Sequence, residues 1–157
     1  ICLDAADSFV AGESPDYDQI VSTYNIASIE DPYSDEDWDK WVEFNKKYGD
    51  KIKVVGDDLT TTNPERIKKA IDTGAINAVV IKPNQIGTIS AAIQAVQVAR
   101  SGGLKIVVSH RGEETDDDWI VDFALGVQAD YVKFGGMDRG ERVAKYNRLR
   151  ELGMACG

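Results

Sequence analysis

Six ionisable side chains follow short apolar runs at intervals along this 157-residue chain. In order they are Asp4, Glu30, Asp57, Lys82, His110 and Lys133. Three carboxylates form the hard, oxygen-rich ligand set that Mg²⁺ prefers. A lysine beside a divalent ion and another cation is pushed towards its neutral form and can act as a base. The set therefore indicates abstraction of a proton next to a carboxylate, with metal ions stabilising the negative charge that develops.

Each of these groups also has an ordinary structural explanation. An acid after a strand is often the cap of the next helix, and a lone histidine is more often a hydrogen-bonded core residue than a catalyst. Lysines cannot cap a helix N-terminus, because they carry no acceptor. One such group at the end of each of six predicted strands therefore favours a common site.

Apolar runs and amphipathic segments alternate along the whole chain. The predicted strands are 1–6, 26–32, 51–58, 78–82, 105–110 and 131–134, and the predicted helices are 14–25, 35–49, 63–74, 88–103, 116–127 and 139–153. This alternation predicts an α/β fold with a parallel sheet, whose strand ends meet at one face. Both an open doubly wound sheet and a closed barrel fit the pattern. A barrel needs eight strands in about 250 residues, so this chain would supply six of the eight strand-helix units.

Several side-chain placements follow from the same patterns. Asn63, Pro64 and Gly74 mark the start and end of one helix. We expect an inward stripe on the fourth main helix, formed by Ile89, Ala92, Ile93, Val96 and Ala99, and one on the last helix, formed by Val143, Tyr146 and Leu149. Cys2 is expected in the core. The acids that follow His110 are expected on a solvated face, namely Glu113, Glu114, Asp116, Asp117 and Asp118.

Composition narrows the possible partners and compartments. Lys and Arg number 18 and Asp and Glu 27, a net charge of −9. This disfavours nucleic-acid binding, which depends on cationic contacts to phosphates. No apolar run approaches the roughly 18 residues of a membrane span. Two isolated cysteines, Cys2 and Cys156, and an N-terminus without a basic segment predict free thiols and a cytoplasmic protein without a signal peptide.

Motifs along essentially the whole chain resemble the C-terminal barrel portion of the enolase family. They occur in family order: LDAA (3–6), SIEDP (28–32), GDDLTTTNP (56–64), KPNQIGT (82–88), VVSHRGEET (107–115), VKFGG (132–136) and ERVAKYNRLR (141–150). The wider superfamily is the standard example of a Lys or His base that acts with Mg²⁺. The resemblance implies an enolase-type (β/α) barrel over residues 1–157 and a lyase that dehydrates 2-phosphoglycerate to phosphoenolpyruvate.

The resemblance also implies roles for individual residues. Asp4, Glu30 and Asp57 would bind the Mg²⁺ that grips the substrate carboxylate, which brings Glu30 next to the substrate. Lys82 would take the C2 proton, and Lys133 would help to neutralise the carboxylate. His110 would lie near the substrate, Arg111 would hold the phosphate, and Ser109 is a further candidate for substrate binding.

Two departures from the family pattern bear on function. The usual SHRSGET is SHRGEET here, so Gly112 replaces a serine of the phosphate site, and the usual KTGAP is KFGGM. The family's general acid lies on an earlier strand, outside these 157 residues. We therefore expect a chain that needs an upstream segment, a complementing chain or a homo-oligomer for activity. The alternatives are a superfamily lyase that acts on another carboxylate, and a non-catalytic binding or assembly fragment.

Overall fold

The computed structural model describes residues 1–6 and 14–155. Its strands are β1 (Cys2–Asp4), β2 (Ser28–Glu30), β3 (Lys53–Gly56), β4 (Ala78–Ile81), β5 (Lys105–Ser109) and β6 (Tyr131–Lys133). Its helices are α1 (Tyr17–Thr23), α2 (Trp38–Tyr48), α3 (Pro64–Thr73), α4 (Pro83–Ile86), α5 (Ile89–Ser101), α6 (Trp119–Gly126) and α7 (Gly140–Ala155). Among these described residues, no helix is long and apolar enough to cross a membrane.

All six strands are parallel and lie in the order β1-β2-β3-β4-β5-β6. A doubly wound sheet reverses its strand order at a switch point, and this sheet has no reversal. The sheet also curls, because Lys133 at the end of β6 lies 2.6 Å from the Asp4 carboxylate at the end of β1. The strands therefore form part of a TIM-type barrel, as the barrel interpretation of the sequence predicted.

The two faces of the sheet differ in what covers them. On the outer face, Ile29, Val54, Val79 and Ile106 are fully buried against the helices. Among the described residues, the inner face has a small buried cluster, Val55, Ala78 and Val80, and it encloses a cavity of about 310 Å³. Six strands leave this interior open, whereas a closed barrel fills it with side chains.

Cys2 lines that open interior, and its side chain is exposed. The prediction that Cys2 is a core residue was therefore wrong. It assumed a covered inner face, which the described strands do not provide at the edge strand β1. The predicted free thiol of Cys156 lies outside the described residues.

The helix-end signals were read correctly in α3. Asn63 accepts hydrogen bonds from the N–H groups of Glu65 and Arg66, Pro64 occupies the first turn, and Gly74 adopts the left-handed conformation (φ 70°) that glycine tolerates. The short helix α4 was not predicted, because its four residues are too few to show helical periodicity.

The inward stripe of α5 is narrower than predicted. Ala92, Val96 and Ala99 are buried, whereas Ile89 and Ile93 are exposed. The buried row consists mainly of alanines, which lets α5 approach its neighbours closely and turns the larger isoleucines towards solvent. Side-chain size, and not only apolar character, therefore decides which face of α5 is buried.

Candidate active site

Five of the six predicted strand-end residues, all except Glu30, line one cavity of about 340 Å³ at the carboxyl end of the sheet. Its lining residues are Asp4, Ala6, Asp31, Asp57, Asp58, Lys82, Ser109, His110, Gly112 and Lys133. Parallel pairing brings them together, since Asp4 lies opposite Glu30 in the register of β1 and β2, and Ser109 lies opposite Lys133 in that of β5 and β6. Barrel enzymes carry their chemistry at this face.

Three buried carboxylates form a cluster that can hold a metal ion. Glu30, Asp31 and Asp57 each place an oxygen within 4.8 Å of the others. Asp57 Oδ1 is buried and has no hydrogen-bond partner among the residues that the structure describes. A buried carboxylate oxygen without a donor is costly unless a cation meets it. The oxygen-only donor set and this orphaned atom fit a hard divalent cation.

Asp31 was missed by sequence reasoning. Its two carboxylate oxygens accept hydrogen bonds from the backbone N–H groups of Asp57 (3.0 Å) and Asp58 (2.9 Å). Burial raises the pKa of the Asp31 carboxyl to about 7. Strand alternation places residues 30 and 31 on opposite faces, but Asp31 has a φ of 44°. This turn of the backbone brings both acids into one cluster.

The two lysines are paired with these acids in different ways. Lys82 Nζ forms an ion pair with the carboxylate of Asp57, and both side chains are largely buried. Lys133 Nζ lies 2.6 Å from Asp4 Oδ2 and 2.8 Å from Glu30 Oε1. Lys133 therefore bridges Asp4 and Glu30. The three-carboxylate cluster contains Asp31, and not Asp4, as its third acid.

The ammonium group of Lys133 keeps its positive charge. Burial lowers the pKa of its ammonium, but hydrogen bonds to Asp4 and Glu30 outweigh that effect and raise the pKa well above its ordinary value. Burial also raises the pKa of Glu30, although the hydrogen bond from Lys133 opposes this shift. Lys133 is therefore suited to neutralise negative charge and not to accept a proton.

His110 is held in one tautomer. Its Nδ1 lies 2.6 Å from the backbone carbonyl oxygen of Lys133, which can only accept, so Nδ1 carries the proton. Burial lowers the pKa of the His110 imidazole below its ordinary value. The neutral ring therefore has its lone pair on Nε2, which accepts no hydrogen bond from residues 1–6 or 14–155, and His110 lines the cavity.

Arg111 lies in an adjoining cavity of about 370 Å³, and the buried Ser109 lines both cavities. The Arg111 guanidinium makes no hydrogen bond or ion pair with residues 1–6 or 14–155, whereas its backbone N–H donates to Glu114. A half-buried cation without a protein partner is suited to an anionic group. The structure thus places Arg111 beside the cavity that contains His110, and not in it.

Glu114 is not on a solvated face, so that prediction was wrong. Its side chain is 15% exposed, and its carboxylate lies 3.0 Å from the buried ammonium of Lys145. Burial raises the pKa of Glu114, but hydrogen bonds from the Arg111 backbone and from Lys145 outweigh it and lower the pKa. The acids around Glu114 are typical of a solvent-exposed segment. The local sequence does not reveal the cation that pairs with Glu114, because Lys145 lies 31 residues further along the chain.

Comparison with known proteins agrees with this geometry. Residues 9–155 match the family model described as enolase, C-terminal TIM barrel domain. The chain belongs to the enolase family. It is 45% identical over 141 residues to an enolase of Mycobacteroides abscessus, which covers 90% of this chain and 33% of that protein. It is 46% identical over 136 residues to an enolase of Bifidobacterium animalis subsp. lactis, which covers 87% and 32% respectively.

The chain thus spans about a third of the length of the curated enolases that it matches. Five of the six strand-end residues lie inside the range matched by the enolase domain, namely Glu30, Asp57, Lys82, His110 and Lys133. Asp4 precedes that range. The likeness to enolase therefore covers the proton-abstracting and phosphate-binding candidates as well as two of the three predicted metal ligands.

Proposed function

We propose that this chain supplies the metal, base and substrate-binding residues of an enolase active site, within one barrel portion that extends over residues 1–157. The reaction is the Mg²⁺-dependent dehydration of 2-phosphoglycerate to phosphoenolpyruvate. The observation that carries the proposal is the meeting of acids, lysines and a neutral histidine around one cavity in an enolase-family chain.

The acids hold the cation and the lysines handle the substrate. Glu30 and Asp57, with Asp31 beside them, would supply oxygens for Mg²⁺. Asp4 would be the third ligand, as the family resemblance implies. When bound, Mg²⁺ holds the substrate carboxylate and stabilises the negative charge that develops as the C2 proton leaves. Lys82 takes that proton with Nζ, which lies beside Asp57 at the cavity wall.

The remaining groups orient and neutralise the substrate. Lys133 keeps its positive charge and lies against the substrate carboxylate. His110 faces the substrate through Nε2, and Arg111 with Ser109 holds the phosphate. Loss of the C3 hydroxyl needs a general acid, which the family resemblance places outside these residues. We also predict that the chain forms a homo-oligomer or binds a complementing upstream chain, and that it is located in the cytoplasm.

The test is phosphoenolpyruvate formation from 2-phosphoglycerate with Mg²⁺, with this chain alone and with the upstream portion of the Bifidobacterium animalis enolase. We expect activity only in the mixture, and loss of that activity in Lys82→Met. The matched control is Lys68→Met, which alters an exposed lysine on α3 that pairs with Asp72. Activity of the isolated chain would refute the need for an upstream acid.

Gly112 favours one second candidate. It lines the cavity without a hydroxyl where the family usually has serine, which weakens the phosphate site. A superfamily lyase that acts on a carboxylate without phosphate would tolerate this change. No activity on 2-phosphoglycerate in an assembled mixture, together with turnover of another 2-hydroxy acid, would support this alternative.

A further inference from the structure

The inward face of α7 carries buried charge. Arg142 and Lys145 are 7% and 1% exposed, and Tyr146 is half-buried beside them. Residues spaced by three and four share one face of a helix, so these three side chains point together towards the loops that follow β5 and β6. The sequence pattern predicted only Val143, Tyr146 and Leu149 on this face.

Most hydrogen-bond acceptors around the Lys145 ammonium lie in the loop after β5. Its Nζ lies within 3.1 Å of the backbone carbonyl oxygens of Thr115 and Asp117 in this loop, and of that of Glu141 within α7 itself. It also lies 3.0 Å from Glu114 Oε2, while Glu114 Oε1 accepts the backbone N–H of Arg111 at 2.7 Å. A buried ammonium is strongly destabilising if its partners are lost, so the loop is held where these acceptors surround Lys145.

Arg142 holds the same loop at the residues that line the site. Its Nη1 donates to the carbonyl oxygen of Arg111 at 2.8 Å, and its Nη2 donates to that of Gly112 at 2.7 Å. A Cβ added at Gly135, which has a φ of 80°, would lie 2.9 Å from Arg142 Cδ. Gly135 therefore leaves room for the arginine, and Tyr146 donates its hydroxyl to the Gly135 carbonyl oxygen.

These contacts fix the backbone of Arg111 without occupying its side chain. The main-chain N–H and C=O of Arg111 are bound by Glu114 and Arg142, whereas its guanidinium has no partner within the described parts of the chain. The free cation is thereby presented on an immobilised backbone, which is the arrangement that binds an anion with the least loss of entropy.

We propose that Arg142 and Lys145 are positioning residues, which act through Glu114 and the main chain to set the affinity of Arg111 and Gly112 for a phosphate group. The positioning role stands on the contacts within the chain. Its effect on phosphate rests on the proposed function.

The test compares wild type with Lys145→Met by amide hydrogen exchange and by NMR titration with inorganic phosphate. We expect the Arg111 amide to exchange about tenfold faster in the variant, since a charge-assisted network supports it, and phosphate to bind about tenfold more weakly. Arg148→Met is the matched control, because Arg148 lies on α7 and pairs with Asp122 at the surface. It should change neither quantity by more than about twofold.

A purely structural role gives a different pattern. Exchange would then accelerate uniformly across the strands, with no additional change at Arg111, and this result would overturn the inference. Unchanged exchange and unchanged phosphate affinity would overturn it as well.

A second variant keeps the test decisive if Lys145→Met does not fold. Glu114→Gln retains an acceptor for the Arg111 N–H and removes only the charge opposite Lys145, so faster local exchange is again expected and its absence would refute the role. If wild type binds no phosphate but Arg111 exchange still responds to these variants, the phosphate site of the proposed function fails and the positioning role is supported.

Discussion

Gly112→Ser is expected to strengthen phosphate binding. Gly112 lines the active-site cavity, and apart from Gly112 and its two chain neighbours no heavy atom of the described residues lies within 4 Å of the point where a Cβ would be added. Gly112 does not have the positive φ that would make a side chain strained. A serine therefore fits without displacing a neighbour, and its hydroxyl adds a donor beside Arg111.

The expected gain is that of one hydrogen bond. A typical net contribution is about 1 kcal/mol, which corresponds to about a fivefold lower dissociation constant. Replacing glycine also stiffens the unfolded chain and raises the free energy of unfolding by about 0.5 kcal/mol. Gly112→Ala shares this backbone effect but has no hydroxyl, so it is the matched control.

Isothermal titration calorimetry with 2-phosphoglycerate and Mg²⁺ measures the effect, and chemical denaturation measures stability. The serine variant should bind about fivefold more tightly than the alanine variant, while both show the same stability. Equal affinity of the two variants would refute the argument, because the hydroxyl would then make no contact with the ligand. Weaker binding by serine would mean that Gly112 leaves space for the ligand itself.

Three further outcomes follow from the charges of the site. The imidazole of His110, the single histidine of the chain, should titrate by NMR with a pKa below 6.5, since burial disfavours its cation. The unfolded chain then takes up a proton at His110 that the folded chain resists, so the contribution of His110 to the free energy of unfolding should fall as pH drops below 6.5; a pKa above 6.5 would contradict this. Asp57→Asn should weaken Mg²⁺ binding about tenfold or more by calorimetry, whereas Asp72→Asn, at an exposed pair, should leave it unchanged. Lys82→Met should lower the free energy of unfolding by about 3 kcal/mol, because it leaves the buried Asp57 carboxylate without its counter-ion. Urea titrations without metal measure this change. A loss of under about 1 kcal/mol, typical of exposed pairs, would show that the pair is solvated.

Much of the site was predictable because its ionisable residues directly follow predicted strands. Asp57, Lys82 and His110 each follow an apolar strand directly, and parallel pairing brings consecutive strand ends to one edge. The strand order is also the simplest one, since each strand pairs with the next along the chain. The barrel interpretation followed from the same alternation together with the family motifs.

The errors lie where a partner is distant or a backbone angle is unusual. Asp31 joins the acid cluster and has a positive φ, which the sequence pattern does not reveal. Glu114 looked solvated until Lys145 of α7 was found against it. Cys2 looked buried because the sequence pattern of a strand does not reveal whether its inner face is covered.

The sequence by itself determined the strand-helix alternation, the caps of α3 and the chemical groups at each strand end, because these depend on residues that are close along the chain. Only the tertiary structure decided which of those groups are paired. Burial and ion pairing depend on what arrives from elsewhere in the fold, as when Lys133 meets Asp4 across 129 residues. The same reason explains why α7, which reads as an ordinary amphipathic helix, carries the buried cations that hold the loop of Arg111.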